Sequence, residues 1–119
     1  MSIFVYEGKA PLPIKVRVTG NTATTIADAT NRTLYVPWFQ VNEHSGATPN
    51  LTVDVYDGTN AVYLANDDGN TWNARPVAAY GSYQFTHGLV IPTGSVLRVT
   101  SNNASGLFHV HGVYQIVVV

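Results

Sequence analysis

The sequence lacks cysteine and is poor in charge. Without cysteine, disulfides, thiolate catalysis and cysteine-based zinc sites are all excluded. Charged residues make up 11% of the 119 residues, well below the roughly 25% of an average soluble protein. The six basic residues are scattered and the formal net charge is −1. Because capture of nucleic acid or of acidic membranes needs clustered Lys and Arg, we expect neither as a partner.

Long apolar runs are missing as well. None exceeds five residues, far fewer than the roughly 20 residues that cross a bilayer. The first residues lack the basic and apolar regions of a signal peptide. We therefore expect a protein that is made in the cytosol without a signal peptide.

Short apolar runs separated by turn residues fill the chain instead. The stretch from Ala79 to Ser101 shows the pattern: runs at 80–86, 89–91 and 96–101 are divided by His87-Gly88 and by Pro92 to Ser95. Eight to ten such runs recur at intervals of about 8–12 residues, without helical periodicity. This pattern predicts an all-β antiparallel β-sandwich, with a jelly roll as the preferred version. The runs 89–91 and 96–101 are expected to form a hairpin.

Individual segments carry more specific signals. The alternation from Ile14 to Val18 predicts a strand with one buried face, and Asp57-Gly58 between two runs predicts a hairpin. Pro37 inside the run from Arg32 to Val41 indicates a bulge or an edge position. The polar segment from Asn42 to Asn50 is long enough to be a functional loop.

Two prolines near the N-terminus predict the domain organisation. Pro11 and Pro13 would interrupt a central strand, and the short apolar run from Ile3 to Tyr6 precedes them. We therefore expect residues 1–13 to form an arm or an edge strand. Residues 14–119 are expected to form a single β-sandwich domain.

Histidines offer one possible metal site. His109 and His111 lie on the same face of a predicted strand, because side chains alternate with period two. They could hold zinc or copper if His87 or an Asp supplied a third ligand. The simpler interpretation is a pair of surface or interface histidines. We favour it and expect no metal or other cofactor.

Acidic residues point to no defined chemistry. The group Asp54, Asp57, Asp67 and Asp68 would suit calcium, but two of them are followed by Gly and read as turns. No setting selects two carboxylates for glycoside hydrolysis, and the sequence contains no Gly-x-Ser-x-Gly nucleophile motif. We expect no enzymatic activity and no catalytic residue.

Aromatic residues are numerous, and we interpret them mainly as core or subunit interface. A row of exposed Trp and Tyr would instead provide a platform on which sugars stack. The residues expected at an interface or binding surface are Phe4, Tyr6, Trp38, Phe39, His44, Trp72 and Tyr80.

The order of segments from Leu51 to the C-terminus resembles that of small β-rich structural proteins of tailed bacteriophages. A Val-rich strand ends at Asp57-Gly58, residues 83–92 and 94–99 follow, and a last Val-rich strand after Gly106-Leu107 carries Gly112-Val113. Such proteins look like jelly rolls that decorate heads or serve in necks, tails and fibres. The resemblance implies a non-enzymatic virion protein, most simply a capsid decoration protein that stabilises the head.

The same resemblance implies partners and leaves alternatives. The expected partners are the major capsid protein or a neck or tail protein, together with further copies of the chain, with a trimer as one expected form. One alternative is a neck, tail or receptor-binding sandwich that binds carbohydrate through the loop from Asn42 to Asn50. A cupin-like metalloenzyme is a third class, suggested by the histidine pair alone.

Overall fold

Ten β-strands make up the computed structural model, which describes residues 10–66 and 68–117. These residues contain no helix that is long and apolar enough to cross a membrane. The strands are β1 (Leu12–Thr19), β2 (Ala23–Ala29), β3 (Leu34–Glu43), β4 (Asn50–Tyr56), β5 (Ala61–Tyr63), β6 (Arg75–Pro76), β7 (Ser82–Phe85), β8 (Leu89–Ile91), β9 (Ser95–Ser101) and β10 (Leu107–Ile116).

The strands form two five-stranded antiparallel sheets. The first sheet has the order β1-β10-β3-β7, and β8 also pairs with β3. The second has the order β2-β9-β4-β5, and β6 also pairs with β4. The short strands β7 and β8 lie one after the other beside β3, and β5 and β6 do the same beside β4. The ten strands therefore occupy eight positions, four in each sheet. This is the double-sheet arrangement of a jelly roll, and the predicted fold class is confirmed.

Pro37 explains why one position of the first sheet is divided between two strands. β7 pairs with β3 over residues 39–42, whereas β8 pairs with it over residues 34–36. Pro37 lies in the gap and has no N–H to donate. On the other side of β3, the register with β10 shifts between Val113 and Gln115. The predicted bulge is therefore correct. The alternative of an edge position is wrong, because β3 is central.

The core lies between the sheets and comes from the inward residues of both. Its largest fully buried side chains include Phe39, Phe108, Leu34, Leu51 and Leu97. The alternation predicted for β1 places Ile14 and Val18 in this core, while Lys15 and Arg17 are exposed. Each buried aliphatic or aromatic side chain contributes on the order of 1.5–3 kcal/mol.

The two segments of the predicted hairpin at 89–101 belong to different sheets. β8 pairs with β3, whereas β9 pairs with β2 and β4. The turn from Pro92 to Ser95 is thus a crossing between sheets, and the hairpin prediction is wrong. A turn sequence fixes a change of direction, but it does not say whether the next strand stays in the same sheet. By contrast, the hairpin predicted at Asp57-Gly58 is confirmed, because β4 pairs with β5 in antiparallel orientation.

The N-terminal part of the domain lies at an edge of the first sheet. β1 pairs along its whole length with β10 and includes Leu12 and Pro13. Phe4, Tyr6 and the rest of residues 1–9 lie outside the described residues, so the arm remains a prediction.

Gly112 lies where β10 packs closely against β3. A Cβ built on Gly112 would stand 2.5 Å from the Trp38 carbonyl oxygen and 2.7 Å from the Phe39 Cα. Both are backbone atoms of a central strand and cannot move aside alone. We expect Gly112→Ala to lower the free energy of unfolding by about 2 kcal/mol, measured by urea denaturation.

The neighbouring change Val113→Ala is the control, since Val113 is half-buried and its loss leaves the strand spacing unchanged. Equal stability of Gly112→Ala and the unmodified chain would show that the two strands are not held at this distance.

Candidate functional site

The outer face of the first sheet carries a regular array of polar side chains. Register places Arg17, His109, Asn42 and Ser82 in one row across β1, β10, β3 and β7. A second row, two residues along each strand, contains Lys15, His111, Gln40 and Gln84. We call these eight residues the polar face. None of the described strand residues that point outward from the first sheet is acidic.

Side-chain hydrogen bonds connect the half of the polar face that lies over β3 and β7. Asn42 Oδ1 accepts hydrogen bonds from Gln40 Nε2 and Ser82 Oγ, both at 2.7 Å. Gln84 Nε2 donates to Gln40 Oε1 at 3.2 Å. Each amide is thereby held by a neighbour, which reduces the entropy lost when a partner docks on this surface.

Imidazoles occupy the half over β10. The rings of His44 and His109 stack with centroids 4.0 Å apart. The rings of His111 and Trp38 make a T-shaped contact with centroids 5.8 Å apart. The distance between His111 Nδ1 and Asn42 Nδ2 is 3.5 Å. Trp38 is 39% exposed and stands at the end of the array.

The electrostatics of this half disfavour a further positive charge. Burial, followed by the charges of His44 and Arg17, lowers the pKa of His109 below its ordinary value. The lowered pKa favours the neutral form of the His109 imidazole. Lys15, Arg17, His109 and His111 also line a shallow groove of about 460 Å³ along β1 and β10.

A buried carboxylate fixes the loop beside the polar face. Glu43, the last residue of β3, is 2% exposed. Its carboxylate accepts hydrogen bonds from the Ser45 amide and hydroxyl, from the Gly46 amide at 2.7 Å and from the Tyr80 amide at 3.0 Å. Burial alone would raise the pKa of Glu43, but these hydrogen bonds outweigh it and hold the pKa below its usual value.

The Glu43 carboxylate also supports a strained residue. Tyr80 has a φ of 58°, a left-handed conformation that is uncommon for a residue with a side chain. Its ring lies so close to Gly46 that a Cβ there would come within 2.6 Å of the hydroxyl oxygen. Even so, Tyr80 remains 70% exposed. The Tyr80 ring is therefore exposed to solvent while its backbone is held in place by Glu43. We call this residue and its contacts with Glu43 and Gly46 the Tyr80 corner.

The predicted interface residues divide into three groups. Trp38, His44 and Tyr80 are exposed on or near the polar face. Phe39 and Trp72 are 2% and 5% exposed and belong to the core, so in this fold they are not available to a partner. Phe39 stacks on Phe85, and Trp72 packs against Tyr83 and Phe85. Phe4 and Tyr6 lie outside the described residues.

Histidines are brought together in a different way from the one the metal hypothesis required. His109 and His111 do share one face, but the neighbour of His109 is His44. His87 lies in the turn between β7 and β8, at a cleft lined by Phe39, Phe85 and others. Among residues 10–66 and 68–117, no three His, Cys, Asp or Glu side chains are placed to hold a metal ion.

The acidic residues of the calcium hypothesis are engaged in local contacts. Asp54 forms a two-pronged ion pair with Arg98, at 2.9 and 2.8 Å, beneath the Tyr56 ring. Asp57 accepts hydrogen bonds from the backbone of its own turn. Asp68 pairs with Arg75, which lowers the pKa of that carboxyl to about 2. Asp67 lies outside the described residues.

Two features of the site were missed from the sequence. The sequence predicts a polar loop from Asn42 to Asn50, whereas Glu43 ends β3, and no pattern in the sequence connects the amides of β3 and β7. Extending the alternation of β3 beyond Val41 would have placed Asn42 outward and Glu43 inward. No sequence signal identifies the loop amides that accept a buried carboxylate.

Comparison with solved structures gives phage capsid proteins among the neighbours. A pentameric capsid protein isolated from metagenomic phage sequences is 26% identical, with a TM-score of 0.50. The match covers 87% of this chain and 61% of that protein, so the chain spans less than two thirds of its neighbour's length. A second structure with the same description is 24% identical over 87% of this chain and 67% of its own, with a TM-score of 0.48.

A third neighbour comes from disulfide-linked pili that form Bacillus endospore appendages. It is 16% identical over 99% of this chain and 98% of its own, with a TM-score of 0.48. No protein-family model and no curated protein matches the sequence. The similarity therefore concerns the sandwich fold.

Glu43 provides a test of the site's architecture. Glu43→Gln replaces one accepting oxygen by an NH2 group, which cannot accept the amide hydrogens that converge there. We expect a loss of about 1–3 kcal/mol in the free energy of unfolding at neutral pH, measured by urea denaturation.

The pH dependence has a defined sign. Because the folded pKa of Glu43 lies below its unfolded value, its contribution is present above that unfolded value, near pH 4.5, and is lost as the pH falls through the folded pKa. The unmodified chain should therefore lose its advantage over Glu43→Gln in acid. A constant difference down to about pH 2 would contradict this account.

Proposed function

We propose that the chain is a non-enzymatic structural protein of a bacteriophage particle that oligomerises through its exposed faces. The observation that carries the proposal is the match to a phage capsid protein over 87% of this chain. That neighbour is pentameric, so a ring of five is the arrangement to test first, ahead of the trimer expected from the sequence.

Within this role, capsid decoration is the specific function we favour. A decoration protein binds a completed shell, with the major capsid protein as its partner, and it resides in the virion. The described part of the chain measures 43 Å in its longest dimension and forms one sandwich without an inserted domain. A unit of this size suits a molecule that caps a shell.

The polar face and the Tyr80 corner are the proposed contact surfaces. Trp38, His44 and Tyr80 combine exposed rings with polar groups, a composition enriched at protein interfaces. The amides of the face are held in place by their mutual hydrogen bonds, and the corner is fixed by Glu43. Both surfaces would thus dock with little reorganisation.

Carbohydrate binding has less support. Sugar stacking needs an exposed ring face, and the Trp72 ring is buried in the core and offers none. The loop that was expected to bind sugar is also shorter than predicted, because β3 extends to Glu43.

Sedimentation velocity over a range of concentrations tests the proposal. We expect a discrete oligomer, and Trp38→Ala should weaken its association by about tenfold or more, as loss of an aromatic anchor at an interface does. Tyr63→Ala is the matched control, because Tyr63 is 37% exposed against 39% for Trp38 and belongs to the second sheet.

A monomer at every concentration, in the presence and absence of phage shells, would overturn the structural role. Equal weakening by both variants would exclude a specific contact through the surface around Trp38, at the end of the polar face.

A further inference from the structure

We propose that the groove along β1 and β10 recognises carboxylate side chains of a partner protein and binds them more tightly as the pH falls. The proposal deepens the proposed function, since it rests on the polar face being a protein contact surface. It adds the chemistry of the partner and the condition that controls binding.

Charge is the first argument. Lys15 and Arg17 project from β1 onto a face on which no described strand residue is acidic. Elsewhere in the described chain, cations tend to have carboxylate partners: Arg98 binds Asp54, and Arg75 binds Asp68. An acidic partner would supply the carboxylates that the described strand residues of this face do not provide, and the guanidinium of Arg17 is suited to two-pronged contact with a carboxylate.

The neighbouring imidazoles make the second argument. His109 and His111 extend from β10 beside the two cations, and His44 stacks on His109 at 4.0 Å. The groups around His109 are thus Arg17 from β1, His44 after β3 and the neutral Asn42 from β3. All charge that these neighbours carry is positive, so protonation of His109 is opposed in the free protein.

A bound carboxylate would reverse that balance. Its negative charge offsets Arg17 and favours the protonated form of His109, which then donates to it. Binding and proton uptake are therefore linked, and the affinity must rise wherever the complex holds more protons than the free protein. The pKa of His109, lowered in the free protein, leaves room for this change.

A protein partner is favoured over nucleic acid. Duplex DNA carries a charge about every 1.7 Å, and its capture needs a larger basic surface than two cations on a chain of net charge −1. Two cations with adjacent amides and imidazoles match a few carboxylates within a partner surface.

The test measures binding of a labelled Glu-rich peptide to the full chain by fluorescence anisotropy, at low salt and at about pH 7.5 and about pH 5.5, either side of the ordinary imidazole value. A Gln-rich peptide and a short DNA duplex serve as comparison ligands. We expect the acidic peptide to bind about threefold tighter or more at the lower pH. The Gln-rich peptide should not bind.

Variants locate the site. Arg17→Gln should weaken binding of the acidic peptide by about fivefold, while Arg32→Gln, the same charge change at an exposed residue outside the polar face, should leave it within about twofold. His109→Gln should remove most of the pH dependence. Thermal unfolding confirms that each surface variant remains folded.

Three results would overturn the inference: no binding of the acidic peptide, equal weakening by Arg17→Gln and Arg32→Gln, or tighter binding of DNA through Arg17. The peptide assay does not depend on assembly. If the chain forms an oligomer but the acidic peptide does not bind, the structural role stands and the groove proposal fails. If the peptide binds to a chain that is always monomeric, the groove proposal stands and the structural role fails.

Discussion

The structure depends on β3 and β10 being buried on one side only. These two ten-residue strands are central in the first sheet, and each sends alternate side chains into the core. Phe39, Val41, Phe108 and Val110 are all nearly inaccessible. Because the period of a strand is two, the intervening residues must face outward. The core pattern therefore determines where every residue of the polar face can lie.

Two residues of the same strands, Gly112 and Glu43, also fix the arrangement of side chains on the polar face. Gly112 lets β10 approach β3 closely, which keeps the rows of His109 and Asn42, and of His111 and Gln40, in register. At the end of β3 the alternation turns Glu43 inward. A buried carboxylate is costly unless it is hydrogen-bonded, and the loop amides that satisfy it bring His44 and Tyr80 to the margin of the face. Glu43 thus contributes both to the stability of the fold and to the positions of His44 and Tyr80 beside the polar face.

Local rules predicted much of the fold. Alternation located the buried face of β1, Asp57-Gly58 identified the β4–β5 hairpin, and Pro37 marked the bulge that divides β7 from β8. The hairpin predicted around Pro92 was wrong because turn residues do not specify the sheet that receives the next strand. That choice depends on long-range pairing of β9 with β2 and β4, which no short segment encodes.

The site was less predictable than the fold. The pairing of His109 with His111 on one face follows from period two alone, but the proximity of His44 requires the loop that Glu43 organises. Phe39 and Trp72 were expected at a surface and lie in the core. Aromatic composition does not distinguish an interface from an interior, since both favour the same side chains.

The central claim is that the outer face of the first sheet is a protein contact surface within a phage assembly. A cryo-electron microscopy map of the assembled protein on its shell, with side chains resolved, tests it most directly. The account predicts that a neighbouring protein covers the polar face and places a carboxylate within hydrogen-bonding distance of Arg17. A map in which this face is open to solvent in every copy would contradict it.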